Sequence, residues 1–210
     1  MGEITAIEVQ SRRADRRSIF VDGQFATGAH QDVVATLNLR VGQRFDADQL
    51  AQVVRKETAR KAMESALRLI SYRDRSETEI RRRLSGNDFA EDIVDEVVVR
   101  LTNMGLLNDQ TFSRNWVKSR TAAKPMGRRR LVWELQSKGV SADNIEQALD
   151  GLDEQTEDGL ALELARNRAT KSDVRDPKFR DKTASFLMRR GFNWDTVARV
   201  LDEICPRDED

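Results

Sequence analysis

Three consecutive arginines are closely followed by a tryptophan in the segment KPMGRRRLVWELQSKGV, residues 124–140. Guanidinium groups bind phosphate or carboxylate oxygens through paired hydrogen bonds, and an indole ring attracts cations to its face. On a helix, with about 100° per residue, Arg129, Arg130 and Trp133 fall on the side opposite the leucines. The spacing predicts either an outward contact surface or a tryptophan that packs against a neighbouring repeat with an arginine stacked on it.

Charged residues alternate in blocks along the chain, although 36 Lys and Arg balance 36 Asp and Glu. Counted as Lys and Arg against Asp and Glu, the blocks are 55–83 (ten against five), 88–109 (one against six), 114–138 (eight against one), 141–163 (none against eight), 166–190 (nine against three) and 191–210 (two against six). The basic blocks are candidates for binding phosphate or an acidic protein groove. The alternative interpretation is a set of solvated faces that prevent misassembly.

An internal repeat organises the chain after residue 72. Apolar residues recur at offsets of 0, 5, 10, 14 and 17 from three leucines that lie 51 and 52 residues apart. The fifteen positions are Leu84, Phe89, Val94, Val98, Leu101, Leu135, Val140, Ile145, Leu149, Leu152, Leu187, Phe192, Val197, Leu201 and Ile204. All are apolar, where a 39% hydrophobic content predicts about six.

Each repeat is predicted to be a three-helix unit. Gly86, Gly139 and Gly191 follow the first apolar position, where a helix that ends in a left-handed cap favours glycine. Ser76 and Glu79 form a capping box for the second helix of the first repeat. Units of this size bury their apolar faces by stacking, so we predict a curved elongated rod with a basic side and an acidic side.

The N-terminal segment is predicted to be rich in β-structure. ITAIEV and RSIFV contain many β-branched and aromatic residues, and Asp22-Gly23 suits a two-residue type I′ turn. Residues 30–38 are predicted to form a short helix. Asp46 and Gln49 indicate the start of a long helix, which is expected to end near residue 72.

The predicted fold is therefore mainly α, with tandem three-helix repeats and a small β-rich extension. The predicted domains are residues 1–45, the extension with its short helix; 46–105, the long helix and first repeat; 106–153, the second repeat; and 154–210, the third repeat and an acidic C-terminal tail.

The motifs of common enzymes are absent from the sequence. It contains no phosphate-binding loop, nucleophile elbow or HEXXH segment. Cys205 and His30 are the only residues of their types, which excludes a disulfide or a Cys/His zinc site within one chain. We predict an inert thiol, a surface or capping histidine, no enzyme and no cofactor. The chain also lacks a run of about 18 apolar residues and a secretion signal, so we expect a cytoplasmic protein.

Two segments resemble the RecX family of bacterial recombination regulators. LLNDQTFSRNWVKSR at 106–120, followed by KPMGRRRLVWELQSKGV and IEQAL, is similar to the family's signature, and so is ALRLISYRDRSETEIRRRL at 66–84. Matching positions in the first signature are Asp109, Phe112, Ser113, Arg120, Lys124, Gly127, Leu131, Glu134, Leu135, Lys138, Gly139 and Val140. The resemblance covers about 59–204. Asn108 replaces a usual acidic residue, and the β-rich extension occurs in only some members.

The resemblance implies a protein that binds the RecA nucleoprotein filament, lies in its helical groove and restrains strand exchange, ATP hydrolysis and LexA cleavage. Some members also bind DNA. We therefore expect a non-enzymatic negative regulator of homologous recombination, DNA repair and the SOS response. The expected partners are the RecA filament and, largely without sequence preference, single- or double-stranded DNA. We expect no membrane partner, and a monomer.

Candidate contact residues are the cations of the first two repeats and the middle tryptophan. The partner-binding or DNA-binding candidates are Arg81, Arg82, Arg83, Arg120, Lys124, Arg128, Arg129, Arg130, Trp133 and Lys138.

Two other functions remain open at the sequence level. Tandem three-helix units resemble helix-turn-helix modules, which would make the chain a DNA-binding regulator with weak sequence preference. In such a module the third helix would enter the major groove, and here that helix is acidic, as in EDIVDEVVV and ADNIEQALD. The other possibility is a scaffold for an unrelated protein.

Overall fold

The computed structural model describes residues 2–11, 13–171, 174 and 176–205, and its regular structure is a small sheet followed by helices. The strands are β1 (Gly2–Gln10), β2 (Arg13–Val21), β3 (Gln24–His30) and β4 (Arg44–Phe45). The helices are α1 (Gln31–Thr36), α2 (Ala47–Tyr72), α3 (Glu77–Ser85), α4 (Glu91–Asn103), α5 (Asp109–Ala123), α6 (Arg128–Ser137), α7 (Ala142–Leu149), α8 (Glu154–Ala169), α9 (Pro177–Arg189) and α10 (Trp194–Ile204).

The chain divides into two compact units. The first comprises the described residues of Met1–Arg73 and Arg81–Asn103, and the second those of Asp74–Ile80 and Met104–Asp210. Within the described residues, no helix is long and apolar enough to cross a membrane. The predicted fold class is confirmed in its elements, namely a mainly helical chain with three-helix repeats and an N-terminal sheet.

The N-terminal sheet is antiparallel, with the strand order β3-β2-β1-β4. Asp22 and Gly23 connect β2 to β3 with φ angles of 49° and 79°, which confirms the predicted type I′ turn. Strand β4 was not predicted, because two residues carry no periodic signal. The sheet and its helices enclose one core, formed by Ile4, Ile19, Ala29, Val33, Leu39, Phe45 and Val53.

Side-chain caps fix where the first helices begin. His30 caps α1, since its Nδ1 accepts the backbone N–H of Asp32 at 3.2 Å, which confirms a capping role for the only histidine. Asp46 and Gln49 form the predicted reciprocal capping box of α2. Helix α2 then runs 26 residues to Tyr72, as predicted.

The repeat is confirmed by burial. Thirteen of its fifteen apolar positions are buried, and Phe89 and Ile204 are half-buried. The end of α2 forms the first repeat with α3 and α4, while α5–α7 form the second and α8–α10 the third. The second repeat encloses Phe112, Val117, Leu131, Leu135, Val140, Ile145, Leu149 and Leu152. The third encloses Ala161, Ala165, Leu187, Phe192, Val197, Val200 and Leu201.

A left-handed turn ends the second helix of every repeat. Gly139 and Gly191 occupy it with φ angles of 74° and 92°, as predicted. In the first repeat the prediction of Gly86 was wrong, because Asp88 takes this conformation with φ 60°. The turn lies four residues after the repeat leucine, whereas Gly86 lies only two residues after Leu84. Aspartate tolerates the left-handed region better than most residues.

Candidate partner-binding surface in the middle repeat

The backbone amides at the start of α6 are already used by the third repeat. Arg128 N–H donates to Glu157 Oε1 at 2.9 Å, and Arg129 N–H donates to the carbonyl of Gly191 at 3.2 Å. Gly127 lies so close to Gly191 that a Cβ there would meet its carbonyl at 2.3 Å. The positive end of this helix is therefore closed to an outside anion, and only side chains can bind one.

Three arginines at a helix N-terminus are unfavourable for the helix itself. The helix dipole makes carboxylates stabilising there and cations destabilising, and the first turn of α6 contains no acidic residue. Glu157 supplies the missing negative charge from α8. The stability of α6 therefore does not explain the three arginines. Each of their side chains has different neighbours.

Arg128 closes the end of another helix. Its guanidinium donates to the carbonyl of Leu149 at 3.2 Å, and Arg180 makes the equivalent hydrogen bond to Leu201 at 3.2 Å in the third repeat. Cations at a helix C-terminus satisfy carbonyls that lack a partner within the helix. This recurrence assigns Arg128 a structural contact within its repeat.

Arg130 and Trp133 form an exposed stack. The Arg130 guanidinium lies 4.5 Å from the centre of the Trp133 ring, and its Nε is 3.4 Å from Glu134 Oε1. Trp133 is 56% exposed. An arginine therefore stacks on the tryptophan, as one interpretation predicted, and the ring is exposed, while its use as a contact surface stays a prediction.

Two further candidate cations lie on the surface of the second unit. Arg129 and Lys124 are exposed, and their side chains form no ion pair within the described ranges. We use the name arginine–tryptophan patch for Arg129, Arg130 and Trp133. The patch combines a free guanidinium, a stacked guanidinium and an accessible indole ring, which is the composition typical of contact hot spots.

Glu134 organises the side chains beneath the patch. It is 7% exposed and accepts hydrogen bonds from Trp116 Nε1 at 3.0 Å, Arg120 Nε at 2.9 Å and, more weakly, Arg130. The Arg120 guanidinium also stacks on Trp116, 4.4 Å from its ring centre. Glu134 therefore fixes Arg130 on one side and Arg120 on the other.

Lys138 has surroundings unlike those of an open surface residue. Its side chain is 16% exposed, and its ammonium lies 3.2 Å from Glu79 Oε1 and 4.2 Å from the Trp116 ring centre. Arg120 is similarly engaged by Glu134. These contacts favour a structural role for both cations.

The three candidate arginines of α3 belong to the first unit. Arg81 pairs with Asp95 of α4, whereas Arg82 and Arg83 are exposed and form no ion pair with any described residue. These arginines and the arginine–tryptophan patch therefore belong to different compact units of the chain.

Charge compensation differs between the repeats. Arg55 of α2 and Arg81 of the first repeat pair with carboxylates of α4, and in the third repeat Arg166 and Arg180 pair with carboxylates of α10. In the second repeat, whose helices are fully described, α7 forms no ion pair with α5 or α6. Each outer repeat thus has arginines paired with its acidic helix, and the fully described middle repeat has none.

Glu134, Trp116 and Glu157 have structural roles that the sequence pattern did not predict. One signal was available, since Glu134 is the only acidic residue in the basic block 114–138 and lies four residues after Arg130. Glu157 gave no such signal, because its partner lies 29 residues away. Among the described residues, no group of His, Cys, Asp and Glu could hold a metal ion.

Family models match nearly the whole length of the chain. A regulatory protein RecX N-terminal domain matches residues 2–46, and the first, second and third RecX three-helix domains match 62–101, 108–149 and 156–201.

Curated relatives and solved structures match over similar lengths. Regulatory protein RecX of Clostridioides difficile (strain 630) is 32% identical over 100% of the chain and 99% of its own length. The protein of the same name from Halalkalibacterium halodurans is also 32% identical, over 100% of the chain and 81% of its own. A crystal structure of regulatory protein RecX covers 96% of the chain and 100% of its own, with a TM-score of 0.77 at 24% identity. The crystal structure of RecX from Lactobacillus salivarius covers 71% of the chain and 97% of its own length, with a TM-score of 0.65 at 22% identity. These structural likenesses establish the fold.

Proposed function

The chain belongs to the RecX family of regulatory proteins, and on this basis we propose that it is a non-enzymatic negative regulator of homologous recombination and DNA repair. It binds the RecA filament on single-stranded DNA, lies in the filament groove, and inhibits strand exchange, ATP hydrolysis and the coprotease activity that triggers the SOS response. Since the recombinase acts on chromosomal DNA, the proposed site of action is the cytoplasm.

The observation that supports this function beyond family membership is the arginine–tryptophan patch. Trp133 remains 56% exposed although most large apolar side chains of its repeat are buried. Arg129 has an exposed guanidinium with no ion pair in the described part of its unit. An accessible indole beside free and stacked guanidinium groups suits an acidic protein groove or a nucleic acid backbone.

The direct test measures recombinase activity. We expect substoichiometric amounts of the purified protein to slow single-stranded-DNA-dependent ATP hydrolysis and strand exchange by purified RecA. Unchanged rates with equimolar protein would contradict the proposed function.

A variant pair tests whether the patch carries the inhibition. Arg129→Ala/Trp133→Ala should raise the concentration for half-inhibition about tenfold, as loss of a contact hot spot does. Arg68→Ala/Tyr72→Ala is a matched control, because these residues on α2 are also exposed and four residues apart. The control should inhibit like the wild type. Equal inhibition by both variants, at matched helicity, would remove the patch from the mechanism.

The run of three arginines is a less selective target. Replacing Arg128, Arg129 and Arg130 by alanine should also weaken inhibition, but it removes contacts of Arg128 to Leu149 and of Arg130 to Glu134. We therefore expect a loss of stability in that variant, which thermal unfolding would detect.

The alternative function, a helix-turn-helix-like DNA-binding regulator, gives a different result. Its reading helices would be α4, α7 and α10, whose exposed carboxylates repel phosphate. Tight binding to one operator sequence that survives moderate salt would favour this alternative over filament regulation.

A further inference from the structure

A cavity of about 290 Å³ lies in the first unit, between α1, α2 and α4. Its floor is apolar and consists of Val33, Ala59, Met63 and Val97. Three of these four residues are buried, and Met63 is half-buried. Ala59 contributes a small side chain to this floor.

Two of the five charged residues around the cavity are compensated by neighbours. Glu96 Oε2 accepts a hydrogen bond from Arg55 at 2.6 Å. Arg60 is hydrogen-bonded to Glu57 at 3.4 Å and to Glu64 at 3.3 Å. These residues stabilise the walls and contribute little net charge to a ligand.

Two cations on opposite walls are not compensated in this way. Lys56 on α2 and Arg100 on α4 line the cavity and are exposed, and neither forms an ion pair with any described residue. Asp32, the remaining charged residue of the lining, keeps its negative charge, because the nearby His30 Nδ1 accepts the Asp32 backbone N–H. The cavity thus combines an aliphatic floor with free positive charges at its edge.

We propose that this cavity binds an acidic peptide segment of a partner protein. One large aliphatic or aromatic side chain of the segment fills the apolar floor, and flanking carboxylates pair with Lys56 and Arg100. Charge complementarity and size carry the proposal. A volume of about 290 Å³ has room for one large side chain of the segment.

The lining disfavours nucleic acid as the occupant. The floor contains no aromatic ring on which a base could stack. The proposal goes beyond filament regulation, because its residues are separate from the arginine–tryptophan patch.

The first experiment measures peptide binding to the full chain by fluorescence anisotropy. The probe is a fluorescein-labelled pentapeptide with a central phenylalanine and two glutamates on each side. We expect saturable binding of this probe, and at least tenfold weaker binding when the centre is glycine or the flanks are lysine. Equal binding of the glycine peptide, or no saturation at millimolar concentration, would overturn the proposal.

Matched variants locate the binding. Lys56→Glu/Arg100→Glu should weaken binding at least tenfold, whereas Lys61→Glu/Arg68→Glu, with the same change in net charge at exposed positions of α2, should leave it unchanged. Ala59→Leu should abolish binding by filling the floor. Because that substitution also tests core packing, the exposed charge reversals decide the outcome if it fails to fold, and equal binding by both pairs would contradict the proposal.

A local signal separates the cavity from the rest of the surface. In protein with ¹³C-labelled methionine methyl groups, the Met63 resonance, assigned with Met63→Leu, should shift on peptide addition, whereas that of Met126 in the second unit should not. A shift of Met63 caused by an oligothymidine instead of the peptide would reassign the cavity to nucleic acid. None of these measurements contains recombinase, so their failure leaves the proposed regulatory function testable by itself.

Discussion

Glu134 shows how one buried carboxylate can organise several cations. It accepts hydrogen bonds from an indole and from arginines on two helices, while the sequence around it is strongly basic. Removal of a buried acceptor leaves its less accessible donors, here the Trp116 N–H, without a partner. Glu134 therefore acts on the arginine–tryptophan patch through Arg130.

We expect Glu134→Ala to lower the free energy of unfolding by about 1 to 2 kcal/mol, since it leaves the half-buried Trp116 N–H without an acceptor and two partly exposed arginines without their counter-charge. Urea unfolding followed by circular dichroism would measure the change. Glu146→Ala, an exposed carboxylate on α7, is the control and should cost under about 0.5 kcal/mol. Similar losses in both variants would show that Glu134 does not organise the core.

Asp109 is a second residue whose surroundings predict a measurable effect. Burial raises the pKa of Asp109, and the nearby carboxylates of Glu77 and Glu79 act in the same direction, although the carboxylate accepts the Glu77 backbone N–H at 2.8 Å. The folded protein therefore holds this proton more tightly than the unfolded chain. Stability contributed by Asp109 falls as the pH rises from the ordinary aspartate range through the raised pKa.

Asp109→Asn should consequently raise the free energy of unfolding at pH 7, because the amide oxygen still accepts the Glu77 N–H and carries no charge. The advantage should shrink as the pH falls towards the ordinary aspartate range. Chemical denaturation at several pH values would measure it. Asp143→Asn on the surface of α7 should show no such trend, and a pH-independent effect of Asp109→Asn would contradict the assignment.

At the scale of elements, one type of contact between repeats occurs twice in the second unit. In this contact, which we call a joint, a left-handed turn packs against the start of a helix from another repeat. The left-handed turn after α6 accepts hydrogen bonds from the start of α3, where Ser76 Oγ donates to Lys138 and Thr78 to Gly139. The turn after α9 accepts the amides at the start of α6. A carboxylate from the next repeat completes each joint, Asp109 in one and Glu157 in the other. Glycine is required at both turns, because a side chain at Gly139 would collide with Thr78 and one at Gly191 with Arg130.

Gly139→Ala should therefore destabilise the protein more than a change of backbone preference alone. The left-handed conformation costs an alanine about 1 to 2 kcal/mol, and its Cβ would also lie 2.2 Å from Thr78 Oγ1. Gly105→Ala is the control, since its φ of 69° is similar and no atom lies within 4 Å of the added Cβ. Thermal unfolding should show the larger loss for Gly139→Ala, and equal losses would rule out the steric contact.

Local elements could be predicted from the sequence, whereas contacts between elements could not. The Asp22-Gly23 turn, the capping box of α2 and that of Ser76 with Glu79 depend on neighbours within a few residues, and the structure confirms each. The docking of Lys138 on Ser76 joins residues 62 positions apart, for which the pattern carries no signal.

The candidate site was predictable to the same extent. Helical spacing indicated that Arg129, Arg130 and Trp133 share an outward side. It did not separate Arg128, which binds the end of α7, from Arg129, because that distinction depends on the packing of another helix. Lys138 also matched the signature, while its contacts with Glu79 and Trp116 became visible only in three dimensions.

At the scale of the whole molecule, a net charge of zero limits how DNA can be bound. We expect weak binding that is nearly independent of sequence and falls about tenfold or more between about 50 and 200 mM salt. Fluorescence titrations with unrelated duplexes and single strands would measure it. A strong preference for one sequence would contradict this expectation.

The curved elongated rod stays a prediction from the stacking of repeats. Small-angle scattering would test it, since a globular chain of this length has a radius of gyration of about 17 Å. The prediction requires a larger value for the monomer, and a value near 17 Å would exclude the rod.

The joints also have a consequence for synthesis on the ribosome. The start of α6 receives its hydrogen-bond partners from Glu157 and Gly191, which are translated later. While the nascent chain emerges, the first backbone N–H groups of this helix have no protein acceptor until the following repeat has left the exit tunnel. The second and third repeats are therefore expected to mature together, and a ribosome stalled between them would present an unfinished helix end to chaperones and proteases.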